Sequence, residues 1–178
     1  GGVDNDGKNQ TVEFIDWNVN LIDTGLDTNT GGRLARVKEV MKGEDRFFVT
    51  YGDGLSNLNL DSLLKFHRSH GKIATLTAVN PISSFGLLEI DEENHVHEFH
   101  EKPKLNEWIN GGFFVFERAI FDYLDENSTL EKQPFETLAA DGHLMAFRHD
   151  GFWKCMDTFK DSVEMNELWT EKAPWKTW

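Results

Sequence analysis

Two acids stand where carboxylates commonly do chemistry. Asp53 lies in Phe47-Phe48-Val49-Thr50-Tyr51-Gly52-Asp53-Gly54, where an apolar run ends on an acid held between two glycines. Ligands of open parallel sheets gather at the carboxyl ends of strands, and flanking glycines let a ligand approach the backbone closely. Taken alone, the tripeptide reads first as a plain Gly-Asp-Gly turn, since glycine and aspartate dominate turns. Asp157 lies in Gly151-Phe152-Trp153-Lys154-Cys155-Met156-Asp157-Thr158, just before a candidate capping box of Thr158 and Asp161. By itself it reads as a charge favoured near a helix start, worth about 0.3–1 kcal/mol. The pair says more than either member. Two carboxylates on the same rim of one sheet are what a hard cation such as Mg²⁺, bound to phosphate oxygens, requires.

Further along, His100-Glu101-Lys102-Pro103-Lys104 closes a strand on a proline, and Lys102 there suits a point charge facing a phosphate. A solvated strand end is the plain alternative. Asn110-Gly111-Gly112 leads into Phe113-Phe114-Val115-Phe116, and glycines within a strand mark a close approach by a ligand or another backbone. Asn110 then suits sugar hydroxyls, while a β-bulge explains the glycines as cheaply. His95, His97 and His100 resemble metal ligands, but only the first two share a strand face and no third ligand is identifiable, so they read as surface histidines. His67 and His70 read as partly buried packing residues. Gly31-Gly32 and the glycines around Asp53 have the spacing of neither a dinucleotide fingerprint nor a P-loop.

The elements that must position these residues alternate in kind. Phe47 to Val49 and Ile73 to Val79 read as strands, with a helix from Asn59 to His70 between them carrying Leu60, Leu63, Leu64 and His67 on one face. That order predicts a parallel α/β sheet. A second helix is expected from Gly32 to Lys42, ending at Gly43. Beyond residue 80 the shorter strands Gly86 to Ile90, Val96 to Phe99 and Ile109 to Phe116 predict a smaller β-rich lobe packed on the first. The 178 residues, 39% of them hydrophobic, suit a single domain, 1–178, with one core. A net charge of −13 repels polyanions, which excludes nucleic acid and anionic membrane as partners yet leaves room for a small phosphorylated ligand in one cleft. Cys155 is the sole cysteine, so neither an intrachain disulfide nor a cysteine zinc site is available, and a reducing, cytoplasmic setting is expected. No run reaches the roughly 18 apolar residues of a spanning helix, and Gly1 to Lys8 lacks signal character.

With these residues in view, the chain resembles the glucose-1-phosphate cytidylyltransferases, a branch of the sugar-phosphate nucleotidyltransferases, over nearly all of its length. The resemblance is carried by Trp17 to Gly25, Gly31-Gly32-Arg33-Leu34, Thr50 to Gly54, Glu101-Lys102-Pro103, Ile109 to Phe116, Met156-Asp157-Thr158 and Ala173 to Trp178. It implies an α/β, Rossmann-like (GT-A-like) fold with a mixed sheet flanked by helices. The implied reaction is attack of glucose 1-phosphate on the α-phosphorus of CTP, giving CDP-glucose and pyrophosphate. On matching positions it implies that Asp53 and Asp157 hold Mg²⁺ and Lys102 holds the sugar phosphate. Glu101, Asn110 and Gly111 would meet the glucose hydroxyls, and Arg33, Tyr51 and Gly52 the nucleotide or sugar-phosphate side.

The match also has a gap. Family members open with a strand, a Gly-Thr-Arg loop and a Pro-Lys-Pro element that grip the nucleotide, and neither motif is in this sequence. The expectation is therefore an amino-terminally truncated domain whose sheet lacks its first strands, a homo-oligomer covering the exposed surface, and weak or absent turnover. Alternatives are a non-catalytic sugar-phosphate-binding remnant, a related uridylyl or thymidylyl transferase, or a metal-dependent glycosyltransferase. The last is disfavoured because the Asp53 site has no Asp-x-Asp pair.

Overall fold

The structure, a computed structural model, describes residues 10–14 and 17–177, with side chains from residue 18 onward. Gly1 to Lys8, the Trp17 side chain and Trp178, which entered the sequence reading, lie outside that set. The elements are β1 (Gln10–Phe14), β2 (Trp17–Leu21), α1 (Thr30–Arg36), β3 (Arg46–Thr50), β4 (Gly54–Ser56), α2 (Leu60–His70), β5 (Ala74–Val79), β6 (Leu87–Ile90), β7 (Val96–His100), β8 (Ile109–Glu117), α3 (Gln133–Ala140), β9 (Leu144–His149), β10 (Trp153–Cys155) and α4 (Phe159–Glu171). A 3-10 segment, Arg118–Tyr123, follows β8. The residues group into two compact units, one of 1–45 with 118–142, the other of 46–117 with 143–178.

In the first unit β1 and β2 form an antiparallel hairpin. Helix α1 is shorter than the 32–42 expected, because after Arg36 the backbone tightens into i to i−3 bonds such as Val37 N to Leu34 O and Lys38 N to Ala35 O. Val37 and Val40 are β-branched and weak helix formers, and Val40 finds no cover. Gly31 and Gly32 are buried because the 126–128 loop lies directly on them. A Cβ on Gly31 would sit 2.8 Å from the Ser128 carbonyl oxygen, and one on Gly32 would collide with the Glu126 carbonyl. Their need is close packing.

The second unit holds the main sheet, in the order β3-β8-β5-β9. Strand β8 runs antiparallel to both β3 and β5, while β5 and β9 are parallel. The sheet is therefore mixed. That agrees with the mixed sheet implied by the resemblance, while the parallel sheet read from the strand-helix-strand order alone fails because β8, from later in the chain, inserts between β3 and β5. Ile109 to Phe116, expected in the smaller lobe, is thus part of the main sheet. Phe114, Val115 and Phe116 are wholly buried, which suits a central strand covered on both faces. Phe114 and Phe116 stack with centroids 5.5 Å apart, and Phe47 meets Phe116 edge-on. Each such ring contributes roughly 1.5–3 kcal/mol by leaving water.

Helix α2 forms as its sequence predicts. Asn59 Oδ1 accepts from Ser62 N at 2.8 Å, Gly71 ends the helix at φ 63°, and Leu63 and His67 are the face that buries. His67 and His70 meet Thr75 of β5, at 2.7 and 2.8 Å, and His67 Nε2 meets Glu117 of β8 at 3.1 Å. Glu117 is also paired with Arg46 of β3. The β6–β7 hairpin is the separate β-only element expected beyond residue 80, and its nine strand residues are all exposed.

Candidate functional site

A short ribbon carries both acids. Strands β4 and β10 pair antiparallel with Gly54 opposite Cys155, and just past that pair Met156 N donates to Asp53 O at 2.9 Å. Asp53 thus precedes β4 and Asp157 follows β10 at the same end of the ribbon. Antiparallel pairing explains why residues a hundred positions apart come together: the end of one strand lies beside the beginning of the other. Both side chains are exposed. Cys155 Sγ donates to Asp157 Oδ2 at 3.0 Å. Burial, that hydrogen bond and the negative charges of Asp157, Asp161 and Asp53 push the Cys155 thiol up to about 11. Three carboxylates therefore act on one sulfur, marking a concentrated negative field.

The helix that follows is fixed as its sequence predicts. Thr158 and Asp161 form the reciprocal capping box, with Asp161 N to Thr158 Oγ1 at 3.2 Å and Thr158 N to Asp161 Oδ2 at 2.9 Å. Lys154 bonds Glu164 at 2.6 Å and approaches Asp161 at 3.5 Å. Burial pulls the Lys154 ammonium down, but the two carboxylates outweigh it and hold it above the ordinary lysine value.

The donor set around the acid pair consists of hard carboxylate oxygens, which is the chemistry Mg²⁺ prefers. Among the described residues Asp53 has no hydrogen-bond or ion-pair partner at its side chain, and Asp157 has one oxygen free of the thiol. Two protein carboxylates with further positions left for water and phosphate oxygens fit an ion that seldom gives up all its waters. A separate group of three lies on the β6–β7 hairpin, where Glu89, Glu98 and His100 bring their ligand atoms within 4.8 Å of one another. Spacing in the sequence does not reveal this group, because it depends on the Glu89–Glu98 register across the hairpin. His95 and His97 both bond Asp91 instead.

Lys102 stands on left-handed backbone, φ 47°, immediately before Pro103. Such a conformation is uncommon for a side chain larger than glycine and often accompanies a functional site. The segment is tied down just after Lys102, by Ser83 N to Pro103 O at 2.9 Å and by the Ile82–Lys104 bridge. Among the described residues the Lys102 ammonium has no partner, and Glu101 Oε2 lies over Gly86, 3.1 Å from where a Cβ there would stand. Asn110 Oδ1 accepts from Gly112 N at 3.0 Å, while its Nδ2 meets Tyr51 Oη at 3.5 Å. The register of β5 against β8 shifts here, so that Leu76 faces Phe114 but Ala78 faces Asn110. The glycines sit in the resulting bulge, and Gly112, φ 77°, lies against the Tyr51 ring. Beside these strands a cleft of about 550 Å³ is lined by Val79, Asn80, Ile82, Lys104, Trp153 and Cys155, among others.

Asp53, Asp157, Lys102, Glu101, Tyr51, Gly52, Asn110 and Gly111 all belong to the second unit, whereas Arg33 belongs to the first. There its guanidinium donates to Thr24 Oγ1 at 2.8 Å and Leu26 O at 3.0 Å.

A mixed α/β sheet with two acids on one strand-end ribbon belongs to a known class. The chain matches the nucleotidyl transferase family over residues 6–172 and is a member of it. More particularly, it is similar to the glucose-1-phosphate cytidylyltransferase of Salmonella typhi, 50% identical over 165 residues, which is 91% of this chain and 64% of that protein. The probable glucose-1-phosphate cytidylyltransferase of Bacillus subtilis is 41% identical with the same coverage. The chain thus spans about 64% of the length of these relatives. Among solved structures it resembles a putative glucose-1-phosphate thymidylyltransferase from Bacillus anthracis, crystallised with a sucrose. That TM-score is 0.60 at 16% identity, covering 83% of this chain and 63% of that one, a likeness of fold alone. No helix among the described residues is long and apolar enough to cross a membrane.

Proposed function

We propose that this chain takes part in cytidylyl transfer from CTP to glucose 1-phosphate, giving CDP-glucose and pyrophosphate. The observation that carries the proposal is the meeting of Asp53 and Asp157 at one end of the β4–β10 ribbon, linked by the Met156 N to Asp53 O bond. The glucose-1-phosphate cytidylyltransferases at 50% and 41% identity support cytidine as the base.

In this reading Asp53 and Asp157 hold Mg²⁺, which when bound neutralises phosphate charge and aligns the reacting phosphates. Lys102 balances the sugar phosphate as a point charge, and its partnerless ammonium supports that role. Glu101 accepts from glucose hydroxyls. Asn110 and Gly111 complete that subsite, with Asn110 Oδ1 committed to Gly112 N, one amide hydrogen loosely held by Tyr51 Oη at 3.5 Å and the other left for the ligand. Tyr51 and Gly52 serve the nucleotide or sugar-phosphate side. A phosphate oxygen of glucose 1-phosphate forms a bond to the α-phosphorus as the α–β phosphoanhydride bond breaks, and the electron pair leaves with pyrophosphate. The nucleophile is already ionised at neutral pH, so the protein supplies position and charge balance and needs no general base. The single-domain organisation, the homo-oligomer and the cytoplasmic setting belong to the same proposal.

The test has two arms. Pyrophosphate release is measured with glucose 1-phosphate and each of CTP, UTP, dTTP and GTP, and CTP is expected to give the highest rate. An equal or higher rate with another triphosphate overturns the base assignment. Calorimetry with glucose 1-phosphate and Mg²⁺ is expected to show binding, and no heat overturns the sugar-phosphate assignment.

A further inference from the structure

The two strands that lead to the acids also hold the glycine bulge of β8. Trp153, four residues before Asp157, donates its indole Nε1–H to Gly111 O at 2.7 Å. Tyr51, two residues before Asp53, donates its backbone N–H to Gly112 O at 3.2 Å. Consecutive carbonyls are thus held by the two segments that lead to the acids. The Tyr51 bond continues the β3–β8 ladder beyond Thr50 and Phe113. The Trp153 bond does not belong to any ladder. It reaches from β10 to a place where β5 and β8 have lost register, and where Gly111 is already pressed on β5, a Cβ there standing 3.0 Å from Val79 Cγ1 and 3.1 Å from Thr77 O. A bulge frees carbonyls from the ladder and leaves its own position weakly set. A half-buried indole N–H at 2.7 Å supplies the missing constraint.

We propose that Trp153 is a positioning residue for the sugar subsite: its indole N–H fixes the Gly111 carbonyl and so sets the Asn110–Gly112 bulge at a constant distance from Asp157, which follows the strand that carries the tryptophan. The inference rests on the assignment of Asn110 and Gly111 to the sugar. It adds a residue that touches neither the phosphates nor the metal and acts only through the bulge. Phenylalanine at 153 would keep an aromatic ring but lose the donor, and histidine would keep a ring N–H.

The experiment compares the wild-type chain, Trp153→Phe and Trp153→His in two readouts: calorimetric affinity for glucose 1-phosphate with Mg²⁺, and Mn²⁺ affinity by electron paramagnetic resonance. One neutral hydrogen bond corresponds to roughly a three- to tenfold weakening. Trp153→Phe is expected to weaken glucose 1-phosphate by that factor with Mn²⁺ affinity changed less than about twofold, and Trp153→His to recover part of the loss. Equal weakening of both ligands shows a general disturbance of the fold and overturns the positioning role, as does no weakening of either. A readout on the unaltered protein covers a variant that does not fold: in tryptophan-labelled protein the Trp153 indole N–H resonance is expected to shift on adding glucose 1-phosphate. Binding without that shift overturns the inference while leaving the sugar-phosphate assignment standing. Absence of any binding to the wild type overturns both.

Discussion

Lowering the pH through the histidine range should unfasten helix α2 from the sheet. Lys72 N–H can only donate, and it does so to His70 Nδ1 at 3.0 Å, so His70 carries its proton on Nε2 and donates to Thr75 Oγ1. The Thr75 hydroxyl then donates to His67 Nδ1, leaving His67 Nε2–H to donate to the Glu117 carboxylate, where Arg46 also binds. The chain of donors closes only with both imidazoles neutral. Burial lowers the His67 value below the ordinary 6.5, outweighing the raising effect of Glu117, and burial with the Lys72 charge lowers His70. A lowered folded value means that the unfolded chain takes up the proton first, so this stabilisation is complete above pH 6.5 and is lost as pH falls below it. A proton bound only by the unfolded chain gives at most about 1.4 kcal/mol per pH unit for His67. His70, half-exposed at the helix end, adds a smaller, solvent-screened share. Urea unfolding at pH 7.5, 6.5, 6.0 and 5.5 measures the slope. Wild type should lose stability across that window, and His67→Gln, which retains a donor toward Glu117, should be less stable at pH 7.5 by about 1–3 kcal/mol but show a shallower pH slope. Equal slopes in the two proteins, or stability rising as pH falls from 6.5 to 5.5, would refute the proton assignment.

Thr158→Ala removes the capping box at the start of α4 and should cost about 1 kcal/mol, read as a lower thermal midpoint. Lys102→Gly should leave stability unchanged or raise it slightly, because glycine relieves the φ of 47°, yet weaken glucose 1-phosphate at least roughly tenfold in calorimetry. Loss of stability with unchanged affinity would reverse that account. Cys155, with its thiol near 11, should react with iodoacetamide at pH 8 about a hundredfold more slowly than an ordinary thiol, and Asp157→Asn should speed the reaction.

What was legible in the sequence was local. Asn59 and Gly71 marked the ends of α2, Thr158 and Asp161 announced the start of α4, and β3, β5 and β8 fell where short apolar runs placed them. Order within the sheet was not legible. Phe113 to Phe116 is apolar at every position, which identifies a strand buried on both faces but not the pair of strands it will separate. The end of α1 was misjudged because the Leu34, Val37, Met41 spacing is helical, while the break depends on what Val40 lacks as cover. At the site, Asp53 and Asp157 were visible as strand-end acids, yet their adjacency is a property of the β4–β10 register. The Trp153 donor to Gly111 and the Glu89, Glu98 and His100 group likewise depend on which strand lies beside which. The histidines of α2 were read correctly as packing residues, though their proton relay to Glu117 required the geometry.

The most direct measurement is Mn²⁺ binding, followed by electron paramagnetic resonance in the presence of glucose 1-phosphate, in wild type, Asp53→Asn, Asp157→Asn and Glu89→Gln/Glu98→Gln. If the two strand-end acids share one ion, each single asparagine variant weakens that ion at least roughly tenfold and the hairpin double variant leaves it unchanged. An ion that survives both asparagine substitutions, or that disappears only from the hairpin variant, would contradict the account.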